Sequence, residues 1–131
     1  MKNVKSVKSV KIATEAEEQA ALFRWAAYNR AKYPALDLMY HIPNGGSRNS
    51  IEARRLKAQG VKPGVPDICL PVPNAVYTAL YIELKRRERG KVSDAQRGWI
   101  AALNRVGCRA VVCRGWDEAR EEIERYLRFR E

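Results

Sequence analysis

Two apolar segments that each carry an acidic residue most constrain how this chain can fold. Pro66–Leu70 contains Asp67, and Ala79–Lys85 contains Glu83 followed two residues later by Lys85. Both segments are typical of short strands, and the short connection between them predicts an antiparallel neighbouring pair. Because side chains alternate between the two faces of a strand, Glu83 and Lys85 are expected on the same face. The pattern thus predicts two carboxylates and an amine at one place on a sheet.

This grouping of charges is typical of a site for a divalent metal. Mg²⁺ binds carboxylate oxygens, keeps several waters and leaves other positions to substrate phosphate. The chemistry that follows is phosphodiester hydrolysis. A surface ion pair between Glu83 and Lys85, with Asp67 only beginning a strand, explains the same spacing without a metal.

The charge balance indicates the class of substrate. The chain has 25 Lys and Arg against 15 Asp and Glu, a net charge of +10 over 131 residues. A surface of this charge attracts polyanions, and nucleic acid is the first partner to consider. Many small basic proteins bind nucleic acid only incidentally. The charge therefore indicates a nucleic-acid function only in combination with the acidic pair.

Length and composition favour one domain. With 46% hydrophobic residues the chain can bury a single core, which we expect at 13–131 after a basic arm at 1–12. No run of about 18 apolar residues occurs, so we expect no membrane association and a cytoplasmic protein, in a bacterium or a phage-infected cell.

The three cysteines, an odd number, do not suggest a disulfide framework. Together with His41 they make a formal Cys₃His set, but Cys108 and Cys113 are expected on one strand and facing opposite ways. Buried free thiols are the interpretation that we adopt for these two and for Cys69.

The first predicted helix supplies a candidate third acid. Thr14 and Glu17 have the spacing of a capping box, and the helix is expected to continue to about Ala31. Glu15 and Glu17 are explained as first-turn acids that complement the helix dipole. Glu18 lies at the edge of the apolar stripe and is our candidate, although it also reads as an ordinary surface glutamate.

The other expected elements complete an α/β (α+β) fold with a central mixed sheet flanked by helices. We expect a strand at Leu36–Ile42, a helix from Ser50 to Gly60 with a capping box at Asn49, a helix capped by Ser93 with Gln96 at N3, a strand at Arg109–Cys113 and a last helix from Asp117.

Two basic sectors flank the acidic pair in sequence. Charge runs on a helix are usually only a solvated face, but these lie next to the predicted site. The predicted DNA contacts are Asn44, Arg48, Arg54, Arg55, Lys62, Arg86, Arg87 and Lys91.

Four segments together resemble the VRR-NUC domain, a branch of the PD-(D/E)xK nuclease superfamily. They are His41–Gly46, Gln59–Asp67, Tyr81–Lys85 and Ser93-x-x-Gln96. The resemblance covers the chain from Glu15 to about Ala119. It implies a restriction-endonuclease-like core and a metal-dependent DNA nuclease, and this family includes small stand-alone phage and bacterial proteins.

The resemblance also implies a role for each residue of the motif. Asp67 and Glu83 would ligate Mg²⁺ or Mn²⁺ together with the backbone carbonyl of Leu84. Lys85 would orient the attacking water or neutralise charge in the transition state. Gln96 matches a glutamine that contacts the site, although its spacing equally fits a capping-box role. Glu18 best fits the first-helix glutamate and is the further expected ligand.

The choice of DNA structure is not encoded in the motif. We expect branched DNA and a homodimer that acts like a Holliday-junction resolvase in phage or bacterial repair or recombination, because cutting two strands symmetrically requires two sites. A flap- or nick-directed nuclease, a noncatalytic nucleic-acid-binding module and a protein-interaction domain stay open as alternatives.

Overall fold

The described residues form a four-stranded mixed sheet, which confirms the mixed sheet predicted from the sequence. The computed structural model describes residues 11–43 and 49–129. The strands lie in the order β1–β2–β3–β4, and their bounds are Tyr40–His41, Ile68–Leu70, Leu80–Lys85 and Arg109–Arg114. The first two neighbouring pairs are antiparallel, and β3 and β4 are parallel. A parallel pair requires a crossover connection, which the helix between these two strands provides.

Four α-helices accompany the sheet in the described part of the chain, and side chains cap three of them. Their bounds are Glu15–Tyr28 for α1, Ser50–Ala58 for α2, Asp94–Arg105 for α3 and Trp116–Arg128 for α4. The capping boxes predicted at Thr14 and Ser93 are both present. The Asn49 side chain accepts a hydrogen bond from the Glu52 N–H at 2.7 Å. No helix in the described part of the chain is long and apolar enough to cross a membrane.

Helix α1 is shorter than predicted because of Asn29. We expected the helix to continue to about Ala31, but it ends at Tyr28. The Asn29 side-chain amide donates to the Trp25 carbonyl at 2.8 Å, and its backbone N–H donates to the Ala26 carbonyl at 3.1 Å. These bonds satisfy two carbonyls that the end of a helix leaves without partners.

The strand predicted at Leu36–Ile42 was mostly wrong. Residues Pro34–Leu38 form a 3₁₀ helix, and only Tyr40–His41 pair with the sheet. Proline fixes its φ near the helical value and suits the first position of a helix, where no N–H is needed. Ala35 and Leu36 are both buried, and two consecutive buried residues do not fit the alternation of a half-buried strand.

The core lies between the sheet and helices α1 and α4. Leu22 from α1, Ile82 and Leu84 from β3, and Ile123 and Tyr126 from α4 are all buried in one cluster. Helix α2 stands outside this cluster and buries none of its residues. Helices α1 and α4 therefore pack on the sheet, whereas α2 is exposed and contributes no residue to the core.

Candidate active site

Asp67 and Glu83 lie on neighbouring central strands. Ile68 pairs with Ile82, so continuing the register by one residue brings Asp67 opposite Glu83. The Asp67 carboxylate is held by the backbone of β3, because its Oδ2 accepts a hydrogen bond from the Leu84 N–H at 2.9 Å. The strand register thus brings both predicted acids and the Leu84 backbone together.

Glu83 and Lys85 share a face, and both are buried. The Lys85 Nζ lies 3.5 Å from Glu83 Oε2 and 4.0 Å from Glu15 Oε2. Only 2% of Glu83 and 6% of Lys85 is exposed. The alternative of a surface ion pair is therefore wrong, because neither partner is on the surface. A buried amine and carboxylate carry a high desolvation cost and need closely placed partners.

The environment of Glu83 favours its neutral form. Burial makes the largest contribution and repulsion from Asp67 adds to it, which raises the pKa of Glu83 to about 8 although Lys85 opposes the shift. The Oε1 atom is buried and has no hydrogen-bond partner among the described residues. Two ionised carboxylates cannot donate hydrogen bonds to each other, so a shared proton or a bound cation in addition to Lys85 would stabilise the pair.

The donor set of the acidic pair fits Mg²⁺ or Mn²⁺. Carboxylate and carbonyl oxygens are the ligands that hard cations prefer, and Mg²⁺ often takes only one or two carboxylates beside water and phosphate. In residues 11–43 and 49–129, no group of three or more His, Cys, Asp or Glu side chains could hold a metal ion. Cys69 and Cys113 are buried free thiols and Cys108 is a half-buried one, so the described cysteines do not form the formal zinc set.

Gln96 contacts the site and caps a helix at the same time. Its side chain accepts a hydrogen bond from the Ser93 N–H at 2.8 Å, which completes the capping box of α3. Its Nε2 donates to Glu83 Oε2 at 2.9 Å. The two roles that the sequence left open are therefore compatible, because the amide uses its oxygen for one and its nitrogen for the other.

A close contact fixes the loop before Asp67 against α3. Gly64 has a φ of +89°, and a Cβ there would lie 2.6 Å from the carbonyl carbon of Ala95. Both the positive φ and the close approach favour glycine at this position. Gly64 precedes Asp67 by three residues, and Ala95 is the neighbour of Gln96. The contact therefore holds the loop that carries Asp67 against the start of α3, which carries Gln96.

We expected Glu18 to lie beside Asp67, but its carboxylate is bound elsewhere. Its Oε2 accepts a hydrogen bond from Arg87 Nε at 3.1 Å, and its Oε1 accepts one from the Trp116 N–H at 2.9 Å. The N-cap of α4 is Gly115, which makes no side-chain cap. The Glu18 carboxylate therefore satisfies an N–H in the first turn of α4 from a different helix, where the helix dipole favours a negative charge.

Glu15 occupies the position that Glu18 was expected to fill. A cavity of about 300 Å³ is lined by Glu15, Ala16, Gln19, His41, Pro43, Asp67 and Leu84. Glu15 lies one turn before Glu18, so the helical period that brings Glu18 to the buried side of α1 leaves Glu15 at its edge. The first-helix acid at this cavity is Glu15.

His41, the chain's single histidine, is a cavity residue that the sequence analysis considered only as a zinc ligand. Its Nδ1 lies 2.9 Å from the backbone carbonyl oxygen of Asp67. A carbonyl oxygen can only accept a hydrogen bond, so Nδ1 carries the proton. The sequence signal that could have identified it is its position as the first residue of His41–Gly46, one of the four segments that resemble the VRR-NUC domain.

The predicted DNA contacts differ in exposure. Asn44 and Arg48 lie outside the described residues. Arg86 is half-buried, and the exposed members are Arg54, Arg55, Lys62, Arg87 and Lys91. Arg87 is engaged by Asp117, whose Oδ1 lies 2.9 Å from an Arg87 Nη, as well as by Glu18. The Asp117 bond contributes most to the raised pKa of Arg87, and two carboxylates already compensate its charge.

Comparison with known proteins identifies relatives of the chain. The profile of the VRR-NUC domain matches residues 7–117. A solved structure described as a VRR_NUC domain protein is 31% identical, with a TM-score of 0.79, over 92% of this chain and 93% of the other. No curated protein matches the chain.

Proposed function

The chain belongs to the VRR-NUC domain family of PD-(D/E)xK nucleases, and from this we propose that it hydrolyses phosphodiester bonds in DNA with Mg²⁺ or Mn²⁺. The observation that carries the proposal is the pair formed by the half-buried Asp67 and the buried Glu83. Glu83 Oε1 has no hydrogen-bond partner in the described residues and lies beside a second carboxylate. A cation satisfies both carboxylates at once, whereas a noncatalytic DNA-binding module has no need of them.

Each residue of the site has a distinct task in this proposal. Asp67, Glu83 and the Leu84 carbonyl would hold the metal, which when bound lowers the pKa of water and stabilises charge on the phosphate. Lys85 brings a compact positive charge to the same face, where it orients the attacking water or compensates charge in the transition state. Gln96 fixes the orientation of the Glu83 carboxylate through its Nε2 hydrogen bond.

We assign the first-helix acid to Glu15 in place of Glu18. Glu15 lines the cavity beside Asp67, and its carboxylate lies 4.0 Å from Lys85 Nζ. Both carboxylate oxygens of Glu18 already accept hydrogen bonds, one from Arg87 and one from the Trp116 N–H at the start of α4. Glu15 is therefore free to act on Lys85 or on a metal-bound water, whereas Glu18 acts through the packing of α1.

The exposed cations supply the contact to DNA. Helix α2 and the segment after it carry Arg54, Arg55 and Lys62 on the surface, and none of the residues in α2 is buried. Contacts of this kind go to phosphates and hold a substrate without reading its sequence. Arg87 is the least suited of the predicted contacts, because Glu18 and Asp117 compensate its charge.

We propose further that two copies act together on branched DNA in the manner of a Holliday-junction resolvase. One domain of 131 residues has little surface beyond its cleft for holding several duplex arms. A two-fold dimer doubles the basic surface and provides the second site that symmetric cleavage requires. A flap- or nick-directed nuclease would instead act as a single copy.

The test of catalysis is cleavage of labelled linear, nicked, flap and four-way DNA by the purified protein. We expect cleavage with Mg²⁺ or Mn²⁺, none with a chelator, and loss of cleavage in Asp67→Ala and Glu83→Ala. The exposed Arg24→Gln variant is the control for loss of a charged side chain away from the cavity. Full cleavage by Asp67→Ala would contradict the proposal, and DNA binding without any cleavage would favour the noncatalytic module.

The test of assembly is light scattering with and without a four-way junction, together with the positions of the cuts. We expect a dimer, paired symmetric cuts, and an affinity that falls with salt by a slope of about 0.9 per phosphate contacted on duplex DNA. A monomer that cuts linear and four-way DNA equally would move the assignment to the flap or nick class.

A further inference from the structure

A second cavity, of about 270 Å³, lies at the other end of the sheet from the acidic pair. Its wall includes Val76, Tyr77, Tyr126 and Phe129. The cavity begins near Arg109, which pairs with Leu80, whereas Glu83 pairs with Val112. Three residues of strand separate the cavity from Glu83, a distance of about 10 Å. The cavity is therefore distinct from the candidate active site.

The aromatic wall of this cavity is held in place by hydrogen bonds and ring packing. The rings of Tyr77 and Tyr126 are stacked with their centroids 6.5 Å apart. The Tyr126 hydroxyl donates to the Val72 carbonyl at 2.7 Å, and the Asn74 side-chain amide donates to the Tyr126 carbonyl at 3.1 Å. The connection between β2 and β3 is thus fastened to the end of α4, and the cavity is preformed.

Two exposed apolar residues stand at the same cavity. Phe129 is 54% exposed and Val76 is 69% exposed. A volume of about 270 Å³ is slightly below the range of about 300–1,000 Å³ that drug-sized ligands occupy. The cavity therefore suits one flat ring system with an apolar face rather than a larger molecule.

Two arginines give this cavity a fixed positive charge. Arg109 donates to Glu122 through Nε at 2.7 Å, and Arg125 donates to the same carboxylate at 2.9 Å. Glu122 is buried, whereas 53% of the Arg125 side chain is exposed. Two guanidinium groups on one carboxylate leave one net positive charge, and Arg125 keeps N–H donors for an anion.

We propose that this cavity binds one unstacked nucleobase of single-stranded DNA, with the adjoining phosphate on Arg125. An aromatic platform beside a guanidinium is the combination by which proteins hold single strands without reading sequence. The separation of about 10 Å corresponds to about three nucleotide steps at the rise of a duplex strand. This inference rests on the proposed function, since it supplies a second contact for a strand that leaves the cleavage site.

The experiment uses fluorescence of a short single-stranded oligodeoxynucleotide with a central 2-aminopurine, titrated with the full chain in the presence of a chelator. Stacking on an aromatic ring quenches this base, so we expect quenching by the wild-type protein. Phe129→Ala should weaken binding by about tenfold, equivalent to about 1.4 kcal/mol. Phe129→Trp should preserve quenching because it preserves the stacking surface.

Matched variants separate the cavity from general charge and exposure. Tyr28→Ala removes an aromatic side chain that is 83% exposed elsewhere, and we expect it to leave quenching unchanged. Arg125→Gln should weaken binding more than Arg24→Gln. The proposal would be overturned if quenching were absent, or if it were equal in Phe129→Ala and wild type. The cavity would then be assigned to an apolar side chain of a protein partner.

The assay also separates this inference from the proposed nuclease function. Binding is measured without metal, so a chain that cuts no DNA could still show quenching that depends on Phe129. Conversely, metal-dependent cleavage of duplex DNA with no quenching would leave the nuclease proposal intact and remove this one.

Discussion

Gln96 donates a hydrogen bond to Glu83 at 2.9 Å while its oxygen caps the helix that carries it. The start of α3 and the centre of the sheet are therefore fixed by one side chain. Glutamine is suited to this position because an amide has both a donor and an acceptor, whereas an ionised glutamate can only accept.

The double role of Gln96 predicts a difference between two variants of α3. Ser93→Ala removes the cap and should lower the free energy of unfolding by about 1 kcal/mol with little change in turnover. Gln96→Ala should cost a similar amount of stability and also lower turnover at least tenfold. Urea unfolding and single-turnover cleavage measure the two effects. Equal turnover in both variants would show that the contact to Glu83 has no catalytic importance.

The neighbouring acids of α1 are expected to respond differently to neutralisation. Glu15→Gln should reduce cleavage and raise the Mg²⁺ concentration required for half-maximal rate, with little change in stability, because 45% of this side chain is exposed. Glu18→Gln should lower the free energy of unfolding by about 1–3 kcal/mol, because it weakens a buried, charge-assisted contact to Arg87.

Glu17 provides the control for that comparison. Its carboxylate accepts a hydrogen bond from the Thr14 N–H at 2.8 Å in the capping box, so Glu17→Gln should alter stability by about 1 kcal/mol or less. A loss of cleavage in the Glu18 variant that exceeds its loss of folded protein, with Glu15→Gln fully active, would restore Glu18 as the third acid.

The raised pKa of Glu83 predicts how stability changes with pH in metal-free protein. Its pKa is 4.5 for the free side chain and about 8 when folded. Between these values the folded state binds a proton that the unfolded state has lost, so the free energy of unfolding falls as pH rises. Thermal unfolding across this window should show a steeper fall for the wild type than for Glu83→Gln.

Added Mg²⁺ should change that pH dependence. Metal binding favours the ionised carboxylate, so stabilisation by Mg²⁺ should grow as pH rises toward 8. Asp67→Asn should reduce this stabilisation at nearly constant side-chain shape. An equal Mg²⁺ effect at pH 5 and 8, or one unaffected by Asp67→Asn, would argue against metal binding at this pair.

Two glycines with similar backbone conformations offer a test of the contact between the Asp67 loop and α3. Gly60 has a φ of +100° and open space around its Cβ position, whereas a Cβ at Gly64 would meet Ala95. Both alanine variants should lose about 1 kcal/mol from the positive φ. Only Gly64→Ala should also lose cleavage, because the loop that carries Asp67 must move. Equal effects would show that the close approach is not needed.

The acidic pair and the capping boxes could be predicted because their signals are local. Alternation along Leu80–Lys85 places Glu83 and Lys85 on one face whatever packs above them, and the sequence spacing of Ser93 and Gln96 defines a cap directly. The antiparallel pairing of β2 with β3 follows from a connection too short for a crossover.

The identity of the first-helix acid could not be read in this way. Glu15 and Glu18 differ by about one turn, and helical periodicity states only that they share a side of α1. Which of them lines the cavity with Asp67 depends on how α1 packs against the start of α4. There Glu18 accepts hydrogen bonds from the Trp116 N–H and from Arg87. The 3₁₀ helix at Pro34–Leu38 was missed for a similar reason, since its burial reflects tertiary packing.

The exposure of α2 has a consequence for how this protein can change. Its nine residues bury nothing in the core, and surface substitutions of this kind usually alter stability by no more than about 0.5 kcal/mol. Selection or design can therefore vary Arg54, Arg55 and Lys57 without endangering the fold that holds the acidic pair. Under the proposed function, preference among DNA shapes can therefore change separately from the chemistry at Asp67 and Glu83.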